Sequence, residues 1–279
     1  MQFSVILPCM IISGNSIADK IQKETKRLIL EQNLTPKVVF LAVDPNPITC
    51  RYIERKKIAA SQVGIKTTLV QLPEYTDNKY IQDVINDLSR KHDAIVVQLP
   101  LPVHIDTKLV CDSFPREKDV DSLHSDSLEK EFFIQPVAGA VKEICAFAGI
   151  ELSGLRATVV GYGKLVGQPV AVWLKRQGVE VDVVTKEIGD LNNSLQKADL
   201  VVSGAGVPNL IKPSMLKSGC ILIDASTSEQ LGKLTGDADP GCANVCSVFT
   251  PVPGGVGPIT IAVLMRNIYK ATYANELQD

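Results

Sequence analysis

Apolar and polar positions alternate with two periods along this chain. From Ser16 to Gln32, Ile17, Ile21, Leu28, Ile29 and Leu30 recur among charged residues, the spacing of an amphipathic helix with Ser16 as its candidate N-cap and Pro36 beyond its end. Val38 to Val43 is then an unbroken apolar run rich in β-branched residues, as a buried parallel strand requires, and Asp44-Pro45-Asn46-Pro47 is a turn. The alternation continues with a helix from about Thr49 to Val63, a strand Thr67 to Leu72, a helix Asn78 to Leu88 and a strand Ala94 to Gln98. Strand and helix taking turns predict an α/β domain.

Asp121 to Phe133 is charged and irregular and marks a domain junction. Beyond it a strand, Ala157 to Val160, runs into Gly161-Tyr162-Gly163-Lys164-Leu165-Val166-Gly167-Gln168-Pro169 and a helix reaching Leu174. A glycine-rich turn between strand and helix is the setting in which a dinucleotide's phosphates meet free backbone N–H groups. The spacing G-x-G-x-x-x-G departs from the commoner fingerprint, and a plain strand-to-helix turn is the competing reading. Further strands at Val179 to Val184, Leu200 to Ser203 and Cys220 to Asp224 complete a Rossmann-like pattern.

Composition adds bounds. A chain of 279 residues, 45% hydrophobic and 22% charged, is long enough for two globular domains. With 29 basic and 31 acidic residues the net charge is −2, which gives no electrostatic case for nucleic acid or an anionic membrane as partner. The apolar run Val5 to Ile12 is interrupted by Pro8 and too short to span a bilayer, so no targeting segment is expected. Seven scattered cysteines predict reduced thiols in a cytoplasm. Cys242 and Cys246 are the closest pair along the chain, and with only three histidines no metal site is expected.

Three stretches carry candidate chemistry. Gln98-Leu99-Pro100-Leu101-Pro102 follows the carboxyl end of a predicted strand, where α/β sheets bind ligands. Tyr52 and Lys56 are four apart on a predicted helix and share a face; on spacing alone an exposed lysine beside a half-buried tyrosine is the better reading. Thr250 to Thr260 holds three prolines and three glycines, a stiff, shaped loop. It is followed by Ile261, Val263, Leu264, Ile268 and Tyr269 at helical spacing, so the loop opens a helix.

That loop, Pro251-Val252-Pro253-Gly254-Gly255-Val256-Gly257-Pro258, resembles the signature of the methylenetetrahydrofolate dehydrogenase/methenyltetrahydrofolate cyclohydrolase family. Tyr52-x-x-x-Lys56, Val97-Gln98-Leu99-Pro100-Leu101-Pro102 and Lys118-Asp119-Val120-Asp121 are similar to its other motifs. The resemblance implies two α/β domains, the second a Rossmann-like nucleotide-binding domain, with the active site in the cleft between them. It places a folate and catalytic domain at 1–121 and a dinucleotide domain at 122–261, with the final helix, about 262–279, returning to the first. It implies Lys56, Tyr52, Gln98 and Asp121 as catalytic residues. Tyr52, Gln98, Leu99, Pro100, Asp121, Pro253, Gly254 and Gly255 would contact a tetrahydrofolate derivative. Gly161, Tyr162, Gly163, Val166, Gly167, Gly204, Gly206 and Thr227 would hold NADP, and a cytoplasmic homodimer is implied.

Four departures stand against the family pattern: Ser122 for glycine, Val137-Ala138-Gly139 for Cys-Thr-Pro, Tyr162 and Gly163 for arginine and serine, and Ala225 to Ser228 for Val-Gly-Ile-Asn. The loss of the arginine makes NAD plausible as cofactor. A cyclohydrolase without dehydrogenase activity, or a non-catalytic folate-binding homologue, remains the alternative reading.

Overall fold

The computed structural model describes residues 9–130, 132–230 and 233–277; the first half of the apolar run read from Val5, Val5 to Pro8, lies outside them. The elements in chain order are β1 (Met10–Ile11), α1 (Gly14–Glu31), β2 (Lys37–Val43), α2 (Pro47–Val63), β3 (Lys66–Leu72), α3 (Asn78–Ser89), β4 (Ala94–Val97), α4 (Thr107–Cys111) and α5 (Pro136–Phe147). There follow β5 (Arg156–Val160), α6 (Gly167–Arg176), β6 (Glu180–Val184), α7 (Leu191–Lys197), β7 (Leu200–Ser203), β8 (Ile221–Asp224), β9 (Ser228–Gln230), β10 (Lys233–Thr235), β11 (Val248–Phe249) and α8 (Val256–Glu276). Among these helices none is long and apolar enough to cross a membrane.

The chain divides into two compact units, one of residues 19–136 and 261–279, the other of residues 1–18 and 137–260. The first is built on a parallel sheet in the order β3-β2-β4. Alternation along β2 decides its packing: Val38, Phe40 and Ala42 join Ile53, Ala60 and Val63 of α2 and Leu264, Met265 and Ile268 of α8. Val39, Leu41 and Val43 join Ile81 and Ile85 of α3 on the opposite face. A strand buried on both faces reads as a continuous apolar run, and each such side chain contributes roughly 1.5–3 kcal/mol on burial.

The second unit holds a six-stranded parallel sheet in the order β1-β11-β8-β7-β5-β6, with β9 and β10 as a separate antiparallel pair. From β5 the chain passes to β6 on one side and then to β7 on the other. The crevice beyond the carboxyl ends of β5 and β7 is therefore a switch point, the place where such sheets bind ligands.

Unit borders differ from the expected division at 121/122. Met10 and Ile11 pair in parallel with Val248 and Phe249, which ties the first residues to the second unit. Residues 122–136 stay with the first because Phe133 is buried in its core and the buried Asn267 of α8 donates through Nδ2 to the Val120 and Ile134 carbonyls, 2.9 Å each. Helix α1 also differs: it begins at Gly14, so Ser16 lies inside its first turn and is not its cap, and Leu30 is exposed.

Candidate functional site

In the first unit, α2 starts sharply because Asn46 Oδ1 accepts from Thr49 N at 2.9 Å and Pro47 fixes φ in the first turn. The buried residues of α2 are Ile53, Lys56, Ala59, Ala60 and Val63, so its core stripe runs through a lysine. Lys56 is only 6% exposed. Gln98 follows β4, and its backbone N–H extends the ladder to Leu41 O at 2.8 Å; Leu99 and Pro100, which follow, share a cis peptide.

Asp121 is delivered by the short motif ahead of it. Lys118 Nζ donates to the Ser89 and His92 carbonyls at the end of α3. Asp119 bridges in parallel to Ile95 of β4 and accepts from His124 N at 2.7 Å through Oδ2. Ser122, where the family has glycine, adopts φ +54°, the left-handed conformation glycine takes freely. Its Oγ donates to Phe133 O at 2.6 Å, and that bond holds the turn.

These elements bring the four predicted side chains together. Lys56 Nζ donates to Gln98 Oε1 at 3.2 Å, lies 3.9 Å from Asp121 Oδ2 and sits 5.1 Å from the centroid of the Tyr52 ring. Gln98 Nε2 donates to Leu99 O at 2.9 Å, which leaves Oε1 facing the lysine. Burial pushes the Lys56 amine below the usual lysine range, and the Asp121 charge only partly opposes it. Burial likewise raises the Asp121 carboxyl against the pull of Lys56. The Tyr52 phenol is pushed up to about 12, first by burial and then by Asp121. Desolvation favours the neutral form of each group, so burial shifts Lys56 toward its neutral amine and Asp121 toward its protonated acid.

The glycine turns of the second unit fit a dinucleotide, for reasons that differ among the glycines. A Cβ on Gly161 would meet Gly204 O at 2.8 Å, one on Gly167 would meet Gly161 O at 2.1 Å, and one on Gly204 would meet Val166 Cγ1 at 2.3 Å. These three let the two turns pack on each other. Gly163 and Gly206 have nothing within 4 Å of a Cβ position, the open space that a ligand's phosphates need. No side chain caps α6, which begins at Gly167 after Val166, so its first N–H groups are not taken by a capping side chain. Tyr162 is exposed and carries no charge. Val160 pairs with Val184, and Gly161 N donates to Val184 O at 2.8 Å; Lys186 therefore follows the strand next to the turn.

Sequence reasoning missed what shapes the remaining loops. Asp237 accepts from Ser203 Oγ at 2.6 Å, Ala205 N at 2.7 Å and Val207 N at 2.7 Å, which fixes the Gly204 and Gly206 turn. Asp224 accepts from Ser226 N at 3.0 Å and Ala238 N at 2.8 Å, and its own N–H donates to Thr250 Oγ1 at 2.7 Å. Burial pushes the Asp224 carboxyl up to about 6. Thr227 is exposed in the loop after β8, and Ser228 Oγ donates to Gly206 O at 3.0 Å. Gly254 takes φ +100°, Pro253 is exposed, and a Cβ on Gly255 would meet Pro251 O at 2.6 Å. Pro253, Gly254 and Gly255 thus belong to the second unit, whereas Tyr52, Gln98, Leu99, Pro100 and Asp121 belong to the first.

Comparison with known proteins matches the two halves of the chain to two domains of one family. Residues 12–121 match the catalytic domain, and residues 136–276 the NAD(P)-binding domain, described for tetrahydrofolate dehydrogenase/cyclohydrolase. The chain is 34% identical to the bifunctional protein FolD of Aliarcobacter butzleri, over 97% of this chain and 99% of that one. The crystal structure of the bifunctional FolD methylenetetrahydrofolate dehydrogenase/cyclohydrolase from Campylobacter jejuni superposes with a TM-score of 0.92 at 31% identity, covering 96% of this chain and 99% of that chain. The Trypanosoma brucei enzyme, complexed with NADP cofactor and an inhibitor, gives a TM-score of 0.89 at 28% identity, covering 97% and 99%.

Proposed function

Because the chain belongs to the tetrahydrofolate dehydrogenase/cyclohydrolase family, we propose that its chemistry is centred on Lys56 and the three side chains around it. The chain is a bifunctional enzyme: it oxidises 5,10-methylenetetrahydrofolate to the 5,10-methenyl form with NAD(P), then hydrolyses that to 10-formyltetrahydrofolate. The observation that carries the residue assignment is a buried lysine whose Nζ donates to Gln98 Oε1 at 3.2 Å.

Hydrolysis needs a base and then an acid. Water adding to the methenyl carbon loses a proton, and opening of the ring returns one to the departing nitrogen. Lys56, neutral when it accepts and ammonium when it donates, does both at one atom; its lowered pKa keeps the neutral form within reach. Gln98 orients the amine. Tyr52, protonated throughout the neutral range, stacks on the folate ring, and Asp121 accepts hydrogen bonds from the pterin N–H groups. Leu99, Pro100, Pro253, Gly254 and Gly255 complete the folate contacts.

The dinucleotide would lie over Gly161, Gly163, Val166 and Gly167, with Gly204, Gly206, Tyr162 and Thr227 around it, and when bound it supplies a hydride acceptor. Tyr162 and Gly163 provide neither the charge nor the hydroxyl of the family's arginine and serine, so NADP is weakly preferred at most and NAD is used comparably. Lys186, at the end of β6, is the cation best placed in sequence and register to meet a 2′-phosphate. We place the enzyme in the cytoplasm as a homodimer. Assaying the two half-reactions separately, with NAD and with NADP, tests this reading: hydrolysis without any oxidation would reduce the chain to a cyclohydrolase.

A further inference from the structure

Four of the seven cysteines of this chain, Cys9, Cys220, Cys242 and Cys246, gather in one core cluster of the second unit. Cys220, Cys242 and Cys246 are buried, and the partly buried Cys9 packs against the same cluster. Among the described residues no three His, Cys, Asp or Glu side chains converge as metal ligands. Cys242 and Cys246 are the closest pair along the chain, but the thiols that meet are Cys220 and Cys246, with Sγ to Sγ at 3.6 Å.

Backbone geometry brackets that pair. Gly219 N donates to Val245 O and Ser247 N donates to Cys220 O, both at 2.8 Å, so backbone hydrogen bonds continue past the β8–β11 ladder on either side of the two cysteines. Adjacent strands lie about 4.7–4.9 Å apart, and a disulfide needs Cα atoms roughly 4.4–6.8 Å apart and sulfurs at about 2.05 Å, so these two sulfurs have to close from 3.6 Å. The pair is also chemically asymmetric. The two thiols share a hydrogen bond in which either sulfur can donate, and the nearby Lys217 ammonium favours a thiolate at Cys220. A thiolate beside a protonated thiol is the arrangement of attacking and resolving cysteines.

We propose that Cys220 and Cys246 form a dithiol modification site that a hydroperoxide converts to a disulfide in the folded protein. The Cys220 thiolate attacks the peroxide, the O–O bond breaks, and the sulfur becomes a sulfenic acid as the first water (or alcohol) leaves. Cys246 then attacks that sulfur, the S–O bond breaks and a second water leaves. Two thiols lose two electrons and two protons in all, and one peroxide is reduced. The crosslink closes the segment holding Asp224, Thr227 and Asp237, the residues that shape the cofactor-side loops.

The test exposes the native full-length enzyme to a slight excess of hydrogen peroxide, quenches it, denatures it and alkylates the free thiols before mass spectrometry. Thiols should fall from seven to five, with the Cys220 and Cys246 peptides joined and two hydrogens lighter, and dithiothreitol should restore all of them. Cys242 and Cys246 share one tryptic peptide, so Cys242→Ser must keep the crosslink and Cys246→Ser must abolish it, leaving a trappable sulfenic acid on Cys220. If either variant fails to fold, fragmentation of the wild-type crosslinked peptide between Ala243 and Val245 assigns the sulfur. Retention of seven thiols, a crosslink through Cys242 or Cys9, or accumulation of sulfinic acid on Cys220 with Cys246 free would each overturn the proposal.

Discussion

The backbone N–H of Gly14 donates to the carbonyl of Gly254 at 2.8 Å, joining the first residue of α1 to the glycine pair of the loop before α8. A Cβ at Gly14 would lie 1.7 Å from Gly255 O, a contact no backbone tolerates. Gly14→Ala should therefore displace the loop that we assign to the folate, raising KM for methenyltetrahydrofolate roughly tenfold or more, with an overpacking cost of about 1–3 kcal/mol in stability. Steady-state hydrolysis alongside urea unfolding checks this; unchanged KM in a folded variant would remove Gly254 and Gly255 from the substrate contacts.

Asn267 acts on Asp121 without touching it. Its Nδ2 ties Val120 O to Ile134 O, and Ser122 Oγ secures the other side of Asp121 on Phe133 O. In Asn267→Leu the folate KM should rise while NAD(P) affinity, measured by fluorescence titration, stays within twofold. Equal losses in both would mean a general loss of fold.

The charge of Asp121 holds the Lys56 pKa up against burial. Removing a negative neighbour lowers a lysine pKa, so Asp121→Asn should move the rising limb of the kcat–pH profile for hydrolysis toward acid. A limb that stays put or moves toward base would separate Asp121 from the base.

Buried carboxylates give a second pH signature. Burial pushes Asp119 up to about 6, above its ordinary value near 3.9. Between those values the native state binds more protons than the unfolded chain, so this group makes stability fall as pH rises from about 4 to about 6. Asp119→Asn should flatten that part of the Tm–pH curve relative to wild type, as followed by circular dichroism.

Much of this was legible in the sequence, and the gaps have physical causes. The apolar runs match β2, β4, β5 and β7 nearly to the residue because strands buried on both faces read as near-continuous apolar stretches, Thr158 of β5 being a buried exception. The pairing of Met10–Ile11 with Val248–Phe249 leaves no local trace, so the contact of these first residues with the sheet of the second unit was not legible in the sequence. The depth of Lys56 was readable after all. Ile53, Lys56, Ala60 and Val63 recur at three- and four-residue steps, so the lysine stands on the core stripe of α2, whereas Tyr52 and Lys56 alone could not distinguish a site from a surface pair. The packing roles of Asp224 and Asp237 depend on loops meeting across the sheet end, which no spacing encodes.

For cofactor choice, a charge-assisted hydrogen bond is worth roughly 1.5–3 kcal/mol, so restoring one should change affinity about tenfold or more. Tyr162→Arg combined with Gly163→Ser should tighten NADP selectively, and Lys186→Ala should weaken NADP more than NAD. Strong NADP selectivity in wild type that survives Lys186→Ala would point to another cation, with Lys164 next to be tested.

Lys56 moves protons and does not merely fill space in a core. Lys56→Met keeps the length and apolar stem of the side chain while removing the amine. In that variant hydrolysis of 5,10-methenyltetrahydrofolate, followed by loss of its absorbance, should fall by at least a hundredfold in kcat, while calorimetric folate affinity stays within a few-fold of wild type. Wild-type turnover in a folded Lys56→Met enzyme would contradict the account.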